Sequence, residues 1–216
     1  MSLRRVFNMF WDRNFEDIER IVKAFPSGLE NDVRAVIGIL PFSERTLLLA
    51  HGNIRHVEFF VAEYKPLVFN LRDEEVKVPY RIYLNEPTDD RIATLSELQQ
   101  VILHCLYLRH HNGYIRQKHL EKLSDKTETF ICPFTVQLLG EYVVEILLVM
   151  ENLITPSVLA DYAEFLSSNI FYWQQTQSRM VSYWNEYYRK DVPRLADYVG
   201  KRLADRLNAA LRAHRR

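Results

Sequence analysis

The chain has 216 residues and a mass of 25.7 kDa, and 48% of its residues are hydrophobic, enough to bury a substantial core and to exclude a disordered polymer. Its 28 Lys and Arg residues balance 28 Asp and Glu residues. Without net charge, the protein does not gather nucleic acid or anionic membrane by long-range attraction, so any such binding has to be local. Six glycines against 12 Tyr and 12 Phe favour a helix-rich chain.

The cellular compartment is predicted from apolar runs and from the two cysteines. No run reaches the about 18 apolar residues of a membrane span, and the strongest, residues 143–150, is interrupted by Glu145. Residues 1–15 lack the continuous apolar stretch of a signal peptide. Cys105 and Cys132 fit neither a CxxC motif nor a metal-binding spacing, so they are interpreted as reduced core thiols of a cytoplasmic protein.

The first quarter of the chain shows helical periodicity. Residues 3–25 carry apolar side chains at three- and four-residue spacing and end before Pro26. Residues 31–40 repeat that spacing, and Ser43 is a suitable N-cap for a further helical turn over residues 43–50. One or two helices are therefore predicted over residues 3–25, a helix over residues 31–40, and a further helical turn from Ser43 to Ala50.

The next segment favours a β hairpin, with strands over residues 66–71 and 76–84 joined by a charged connection. Alternation in the second strand predicts one apolar face made of Val76, Val78, Tyr80, Ile82 and Leu84. Pro79 lacks a backbone N–H and predicts an edge strand or a bulge. Residues 85–91 form a polar connection, which is the candidate for an internal boundary within a single domain spanning residues 1–216.

Two helices joined at Asn112-Gly113 are predicted over residues 96–123, and they form the centre around which the domain is expected to pack. Residues 130–154 then predict a buried helix that starts near Pro133. Gly140 leaves open whether this helix is continuous or divided. The expected fold is mainly α, either stacked helix pairs or an irregular helical domain, with the one short hairpin near residues 66–84.

The C-terminal part of the chain is also predicted to be helical. Thr155-Pro156 is a suitable helix start, and residues 169–189 are dense in aromatic side chains. Most of those aromatics are expected to pack in the core. The final helix begins near Pro193 and has an apolar stripe made of Leu195, Val199, Leu203, Leu207 and Leu211.

Catalytic and cofactor signatures are missing from the sequence. It contains no phosphate-binding glycine loop, nucleophile elbow, HExxH motif or paired-carboxylate pattern, so neither an enzyme activity nor a cofactor is predicted. Four histidines, which are common zinc ligands, fall in and after the first helix of the pair: His104, His110, His111 and His119. Their spacing does not place them on one face with a carboxylate, so packed or surface histidines are favoured over a metal site.

A short sequence pattern occurs twice. Gly52-Asn53-Ile54-Arg55 and Gly113-Tyr114-Ile115-Arg116 share the pattern G-x-I-R, which is one hypothesis for an internal duplication.

From Gly113 onwards, an arginine and a leucine ladder are followed by a proline-bearing helix and the corner after Gly140. Residues 96–152, which include these features, resemble HEAT-like helical repeats. This resemblance implies helix pairs stacked side by side, a concave protein-binding face and no chemistry of its own. Where that family places a second arginine, this chain has Val144-Glu145.

The favoured function is a non-catalytic interaction or scaffold module with a protein partner. The alternative is nucleic-acid binding through a helix-turn-helix-like pair at residues 96–124 and the basic C-terminal helix. The candidate interaction residues come from the two G-x-I-R corners, the helix that follows the second corner, the aromatic segment and the C-terminal helix. They are Arg55, Arg116, Lys118, His119, Lys122, Arg179, Trp184 and Arg212.

Overall fold

Helices make up most of the described structure. The computed structural model describes residues 16–42, 47–50, 53–56, 61 and 65–215, with the backbone alone for 47–50 and 53–56. The helices are residues 16–22 (α1), Glu30–Ile39 (α2), Asp89–Ile92 (α3), Glu97–Tyr107 (α4), Gly113–Glu121 (α5), Cys132–Val136 (α6), Val144–Leu153 (α7), Leu159–Ser168 (α8), Ile170–Tyr183 (α9) and Val199–His214 (α10). The strands are Leu47–Ala50 (β1), Asn53–His56 (β2), Leu67–Leu71 (β3) and Glu74–Val78 (β4). The mainly α class with a short hairpin is confirmed.

The hairpin predicted near residues 66–84 is formed by β3 and β4. The two-residue connection places Arg72 at a φ of 53°, an uncommon value for a residue with a side chain. β4 ends at Val78 because Pro79 has no N–H to donate to a ladder. Beyond the proline only Ile82 is bridged, and Tyr80 is 43% exposed, so its predicted place on the buried face was wrong.

A second strand pair replaces a predicted helical turn. Residues 47–50, expected to be helical, form β1, which pairs antiparallel with β2 so that Leu47 faces His56 and Ala50 faces Asn53. Short apolar runs suit a helix or a strand equally well, and here the backbone groups of a neighbouring segment complete the strand. The helical prediction for residues 47–50 was therefore wrong, while its start at residues 43–46 and the predicted helix over residues 3–15 lie outside the described residues.

The two G-x-I-R corners are not equivalent. Ile54 and Arg55 lie on β2, whereas Ile115 and Arg116 lie in the first turns of α5. A duplicated unit would repeat its secondary structure, so the duplication hypothesis was wrong.

The chain divides into two compact units. Unit one comprises the described residues within Met1–Val68 and Val76–Asn112, and unit two those within Phe69–Glu75 and Gly113–Arg216. α4 therefore belongs to unit one and α5 to unit two. The connection at residues 85–91, predicted as a candidate boundary, lies inside unit one, and a single domain stays a prediction.

Unit one is built on the packing of α2 against α4. α4 begins at Ser96 with a capping box, in which the Ser96 hydroxyl accepts from the Gln99 N–H and the Gln99 side chain accepts from the Ser96 N–H. The same glutamine donates to Asp32 on α2 over 2.9 Å. Arg109, just after α4, is 1% exposed and donates to the Pro79 carbonyl over 2.9 Å. These polar contacts fix the helix pair and the segment after β4 around an apolar core.

Unit two is a helical assembly in which α10 packs on α7 and α8. Leu203, Leu207 and Leu211 of the predicted stripe are buried along α10, whereas Leu195 lies in a separate 3₁₀ turn before the helix. Trp173 of α9 is 1% exposed, and its indole N–H donates to Asn208 of α10 over 2.8 Å. The apolar stripe and this hydrogen bond together set the register of α10.

The predicted helix over residues 130–154 is divided. α6 passes into a 3₁₀ turn over Gln137–Gly140, and α7 starts four residues after that turn. Gly140 therefore ends the first part, and residues 140–144 form a corner between the turn and α7. We call residues 140–144 the corner.

Candidate functional site

Gly140 is the first residue of the corner, and because it has no side chain, Arg179 can lie against its backbone. A Cβ atom at this position would stand 3.1 Å from Nε of Arg179, closer than a side chain normally approaches. Arg179 also donates to the Thr176 hydroxyl over 3.2 Å and lies over the ring of Tyr172, with 5.3 Å between Cζ and the ring centroid. The Arg179 guanidinium is thus held between the corner and an aromatic face of α9.

Glu141, the next corner residue, forms an ion pair with Arg116 of α5. The Glu141 Oε2 to Arg116 Nη2 distance is 2.8 Å, and the two side chains are 11% and 4% exposed. An arginine in a protein does not lose its charge, so this buried guanidinium requires an anionic partner. The pair therefore ties the start of α5 to the corner.

Tyr188 is the third residue that contacts the corner, after Arg179 and Arg116. Its hydroxyl donates to the carbonyl oxygen of Tyr142 and accepts from the backbone N–H of Val144 over 3.2 Å. Burial raises the pKa of Tyr188, and the carboxylate of Glu145 adds to that rise. The hydroxyl therefore stays protonated and remains a donor at neutral pH. Tyr188 stacks on the buried ring of Tyr198, with 5.5 Å between centroids.

Three further tyrosines form a surface beside the corner, which we call the tyrosine surface: Tyr142, Tyr183 and Tyr187. Their ring centroids form a triangle with separations of 5.9, 5.8 and 6.0 Å. Tyr142 is 55% exposed and Tyr187 is 56% exposed, whereas Tyr183 is half-buried. Large apolar area that is exposed and ordered in this way is typical of binding surfaces.

A π-helical turn over Trp184–Tyr188 supplies one side of this surface. Single π-helical turns inside helices occur frequently at functional sites. Trp184 is buried, and its indole N–H donates to the Val192 carbonyl over 2.9 Å. That anchor holds Tyr183 and Tyr187 as neighbours, with the two rings stacked at 30°.

Exposed charges of both signs adjoin the tyrosine surface in the sequence, with Arg189 and Lys190 just after Tyr188 and two carboxylates beside the same segment. Glu145, in the first turn of α7, is exposed and acts electrostatically on Tyr188. Glu186 precedes Tyr187 and is also exposed. A carboxylate in the first turn of a helix is favoured by the helix dipole, so Glu145 is compatible with the fold as well as with a charged partner.

The structure distributes the predicted interaction residues over several places. Arg116 and His119 are buried on α5, whereas Lys118 and Lys122 are exposed on and just after it. The others lie apart from α5: Arg179 under the corner, Trp184 behind the tyrosine surface, Arg212 exposed near the end of α10, and Arg55 on β2, where the backbone alone is described. Of this set, Arg116, Arg179 and Trp184 meet around the corner and its tyrosines.

Sequence reasoning assigned Tyr183 and Tyr187 to the aromatic segment but missed Tyr142. The four-residue spacing of Tyr183 and Tyr187 indicates that they share a face of a helix. Tyr142 lies in a loop, where no periodicity exists, and nothing in the sequence shows that the corner folds back toward residues 183–188.

The basic residues of α10 are largely engaged within unit two. Arg202 pairs with Glu151 through both of its carboxylate oxygens, at 3.0 and 3.1 Å, and Lys201 pairs with Asp205. Arg206 donates to the carbonyl oxygens of Glu151 and Ile154, which caps the end of α7. These basic side chains serve helix packing.

Histidine and cysteine side chains outside the corner make packing contacts or are buried. His110 accepts from the N–H of Asn112 through Nδ1, and His111 stacks on Tyr83 with 5.2 Å between centroids. Cys132 is buried, which raises the pKa of its thiol well above the ordinary range. Across the described ranges, no group of three His, Cys, Asp or Glu side chains is arranged to hold a metal ion.

Comparisons with protein-family models, with curated proteins and with solved structures give no match to this chain. In the part of the chain that the structure describes, no helix combines the length and apolar character needed to cross a bilayer.

Proposed function

We propose that the protein is a non-catalytic interaction module that binds a protein partner through the tyrosine surface of unit two. The observation that supports this most directly is the exposure of Tyr142 and Tyr187 in an arrangement held by buried contacts. Tyrosine is enriched in protein interfaces because it offers a large contact area with few rotatable bonds. A partner would therefore meet an ordered surface and lose little conformational entropy on binding.

The corner explains how the tyrosine surface is kept in place. Glu141, the residue before Tyr142, is paired with Arg116, and the Tyr188 hydroxyl is hydrogen-bonded to the Tyr142 carbonyl and to the Val144 N–H. The ion pair is buried and the Tyr188–Val144 hydrogen bond is partly buried, so these contacts restrict the backbone that carries Tyr142. In this proposal Arg116 positions the surface and does not touch the partner.

Nucleic-acid binding is the less favoured proposal. Arg116, which was expected to reach a phosphate, is 3% exposed and paired with Glu141. Phosphate contacts dominate nucleic-acid affinity, and at the tyrosine surface Glu145 and Glu186 balance Arg189 and Lys190, so the surface has no excess of basic residues. We place the interaction module in the cytoplasm, which the burial of both cysteine thiols in the core supports.

Site-specific photo-cross-linking tests the proposal. A benzophenone amino acid replaces Tyr187 in one variant of the full chain and Phe171 in a matched control, because Phe171 is 79% exposed near the start of α9. In extracts of the source cells we expect a discrete protein adduct from position 187 that excess unmodified protein removes. We expect none from position 171. Identical adduct patterns at both positions, or no adduct at 187 that competes, would contradict the proposal.

A further inference from the structure

We propose that the partner of the tyrosine surface is a second copy of this chain, so that two chains associate through the same surface about a two-fold axis. This inference rests on the proposed interaction function and names its partner. It follows from the uncharged aromatic centre of the surface, from the charges of both signs that adjoin it and from the area that the rings expose.

The centre of the tyrosine surface is aromatic and uncharged, which suits a two-fold contact. In such a dimer the same patch occurs on both sides, so a group near the axis meets its own copy. A charged side chain there would be repelled, whereas a tyrosine ring packs on another ring through edge-to-face or offset contacts. The rings of Tyr142, Tyr183 and Tyr187 are inclined to one another by 30–56°, so they present both faces and edges to a second copy.

The charges that adjoin the tyrosine surface are self-complementary. Two carboxylates and two basic side chains lie there, and all four are exposed: Glu145, Glu186, Arg189 and Lys190. None of the four forms an ion pair within the part of the chain that the structure describes, unlike Arg202, which pairs with Glu151. Two copies placed against each other can bring opposite charges together, whereas a partner with a single sign of charge would be repelled by half of them.

The exposed area of the rings indicates a weak and reversible dimer. Tyr142 and Tyr187 are 55% and 56% exposed, and a fully buried tyrosine covers about 150–250 Å². The two rings therefore supply roughly 200 Å² per copy, against about 800 Å² per partner in a standard interface, and the adjoining charges extend the contact as a polar rim. Such a contact is transient, so we expect a dissociation constant on the order of 0.1 mM.

Sedimentation equilibrium of the purified full chain, from about 5 µM to about 1 mM, tests the inference. We expect the weight-average mass to rise from the 25.7 kDa of one chain toward twice that value and no further, since a two-fold contact closes at the dimer. Tyr187→Ser, which removes one exposed ring, should weaken the association at least about five-fold. The matched control Phe171→Ser removes an exposed ring near the start of α9 and should leave the association unchanged.

Two charge variants test whether opposite signs meet across the dimer. In the basic variant Glu145→Lys and Glu186→Lys make all the adjoining charges positive, and in the acidic variant Arg189→Glu and Lys190→Glu make them all negative. Each variant alone should self-associate at least about five-fold more weakly than the wild type, because like charges then face each other. An equimolar mixture should form a heterodimer at least as tight as the wild-type dimer, and about 0.5 M salt should reduce these differences.

The control Arg212→Glu/Arg215→Glu changes the net charge as much as the acidic variant does, but at the end of α10, and should leave self-association unchanged. Three outcomes would overturn the inference: a mass that stays at one chain up to about 1 mM, equal weakening by Tyr187→Ser and Phe171→Ser, or a mixture of the charge variants that associates no better than either alone. A competed adduct of a different protein at position 187, without self-association, would overturn this inference and leave the interaction function standing. Absence of both self-association and any competed adduct would overturn both.

Discussion

The ion pair between Arg116 and Glu141 gives the sharpest test of how the corner is held. With side chains 4% and 11% exposed, neither charge is well solvated. Removing one partner of a buried pair typically costs about 3–5 kcal/mol, because the remaining charge stays buried without compensation. We expect about 3 kcal/mol for Arg116→Met, since Glu141 keeps some contact with water. Glu141→Leu should cost about 4 kcal/mol, because the stranded guanidinium cannot deprotonate.

The double variant Arg116→Met/Glu141→Leu carries the decisive information. Replacing both charges by apolar side chains removes the desolvation penalty together with the attraction, so its stability should lie within about 1 kcal/mol of the wild type. Arg202→Leu is a matched control in the same unit. It also breaks an arginine–glutamate pair, but one whose side chains are 45% and 27% exposed, and it should cost less than about 1 kcal/mol.

Urea unfolding followed by tryptophan fluorescence measures these differences. Trp173 and Trp184 both lie in unit two, and replacing Trp11, the third tryptophan of the sequence, with Phe leaves these two as the reporters. The reasoning is refuted if Arg116→Met costs no more than Arg202→Leu, which would mean that water screens the pair. It is refuted equally if the double variant loses the sum of the two single costs, because the two residues would then act independently.

Two other predictions concern glycine and tyrosine positions. A Cβ at Gly200 would stand 2.7 Å from Cε1 of Tyr198 and 2.9 Å from Cγ of Met180, so Gly200→Ala should destabilise unit two by about 1–3 kcal/mol in urea unfolding. Gly38 is an exposed position on α2 where a Cβ would meet no described atom within 4 Å, so Gly38→Ala should stabilise the protein by about 0.5–1 kcal/mol. Equal effects at both sites would contradict this reasoning. Burial raises the pKa of Tyr198 above its ordinary value near 10, so its unfolded form ionises first and stability should fall as pH rises above about 10. The urea midpoint of the Tyr198→Phe variant should fall less than that of the wild type over the same pH range. If the midpoints of variant and wild type fall equally with pH, Tyr198 does not contribute to the pH dependence of stability.

Periodic signals in the sequence anticipated the helices of unit two well. The four-residue stripe through Leu203, Leu207 and Leu211 identified the buried face of α10, and Pro133 lies in the first turn of α6. Such features are local, because a helix satisfies its own hydrogen bonds within four residues. The same holds for the hairpin, where two short strands flank a two-residue connection.

The mistaken predictions share a non-local cause. Leu47–Ala50 became a strand because a second segment pairs with it, and a run of three leucines carries no information about that partner. Tyr80 became exposed because Pro79 interrupts the alternation on which its assignment depended. The tyrosine surface was missed as a unit for a similar reason, since Tyr142 meets Tyr183 only after two separate helices have packed.

Within five consecutive residues, the corner contains a buried carboxylate, a glycine and two backbone groups that hydrogen-bond the Tyr188 hydroxyl. Burying a charge has a desolvation penalty, so stability alone does not explain this arrangement. An apolar corner of similar volume would hold α5 and α7 together equally well, since buried ion pairs add little net stability. Apolar packing, however, tolerates several near-equal arrangements, whereas an ion pair and a directed hydrogen bond define one position for the backbone of Tyr142. That difference is what a rigid binding surface requires, and it connects the buried Arg116 to the exposed tyrosines.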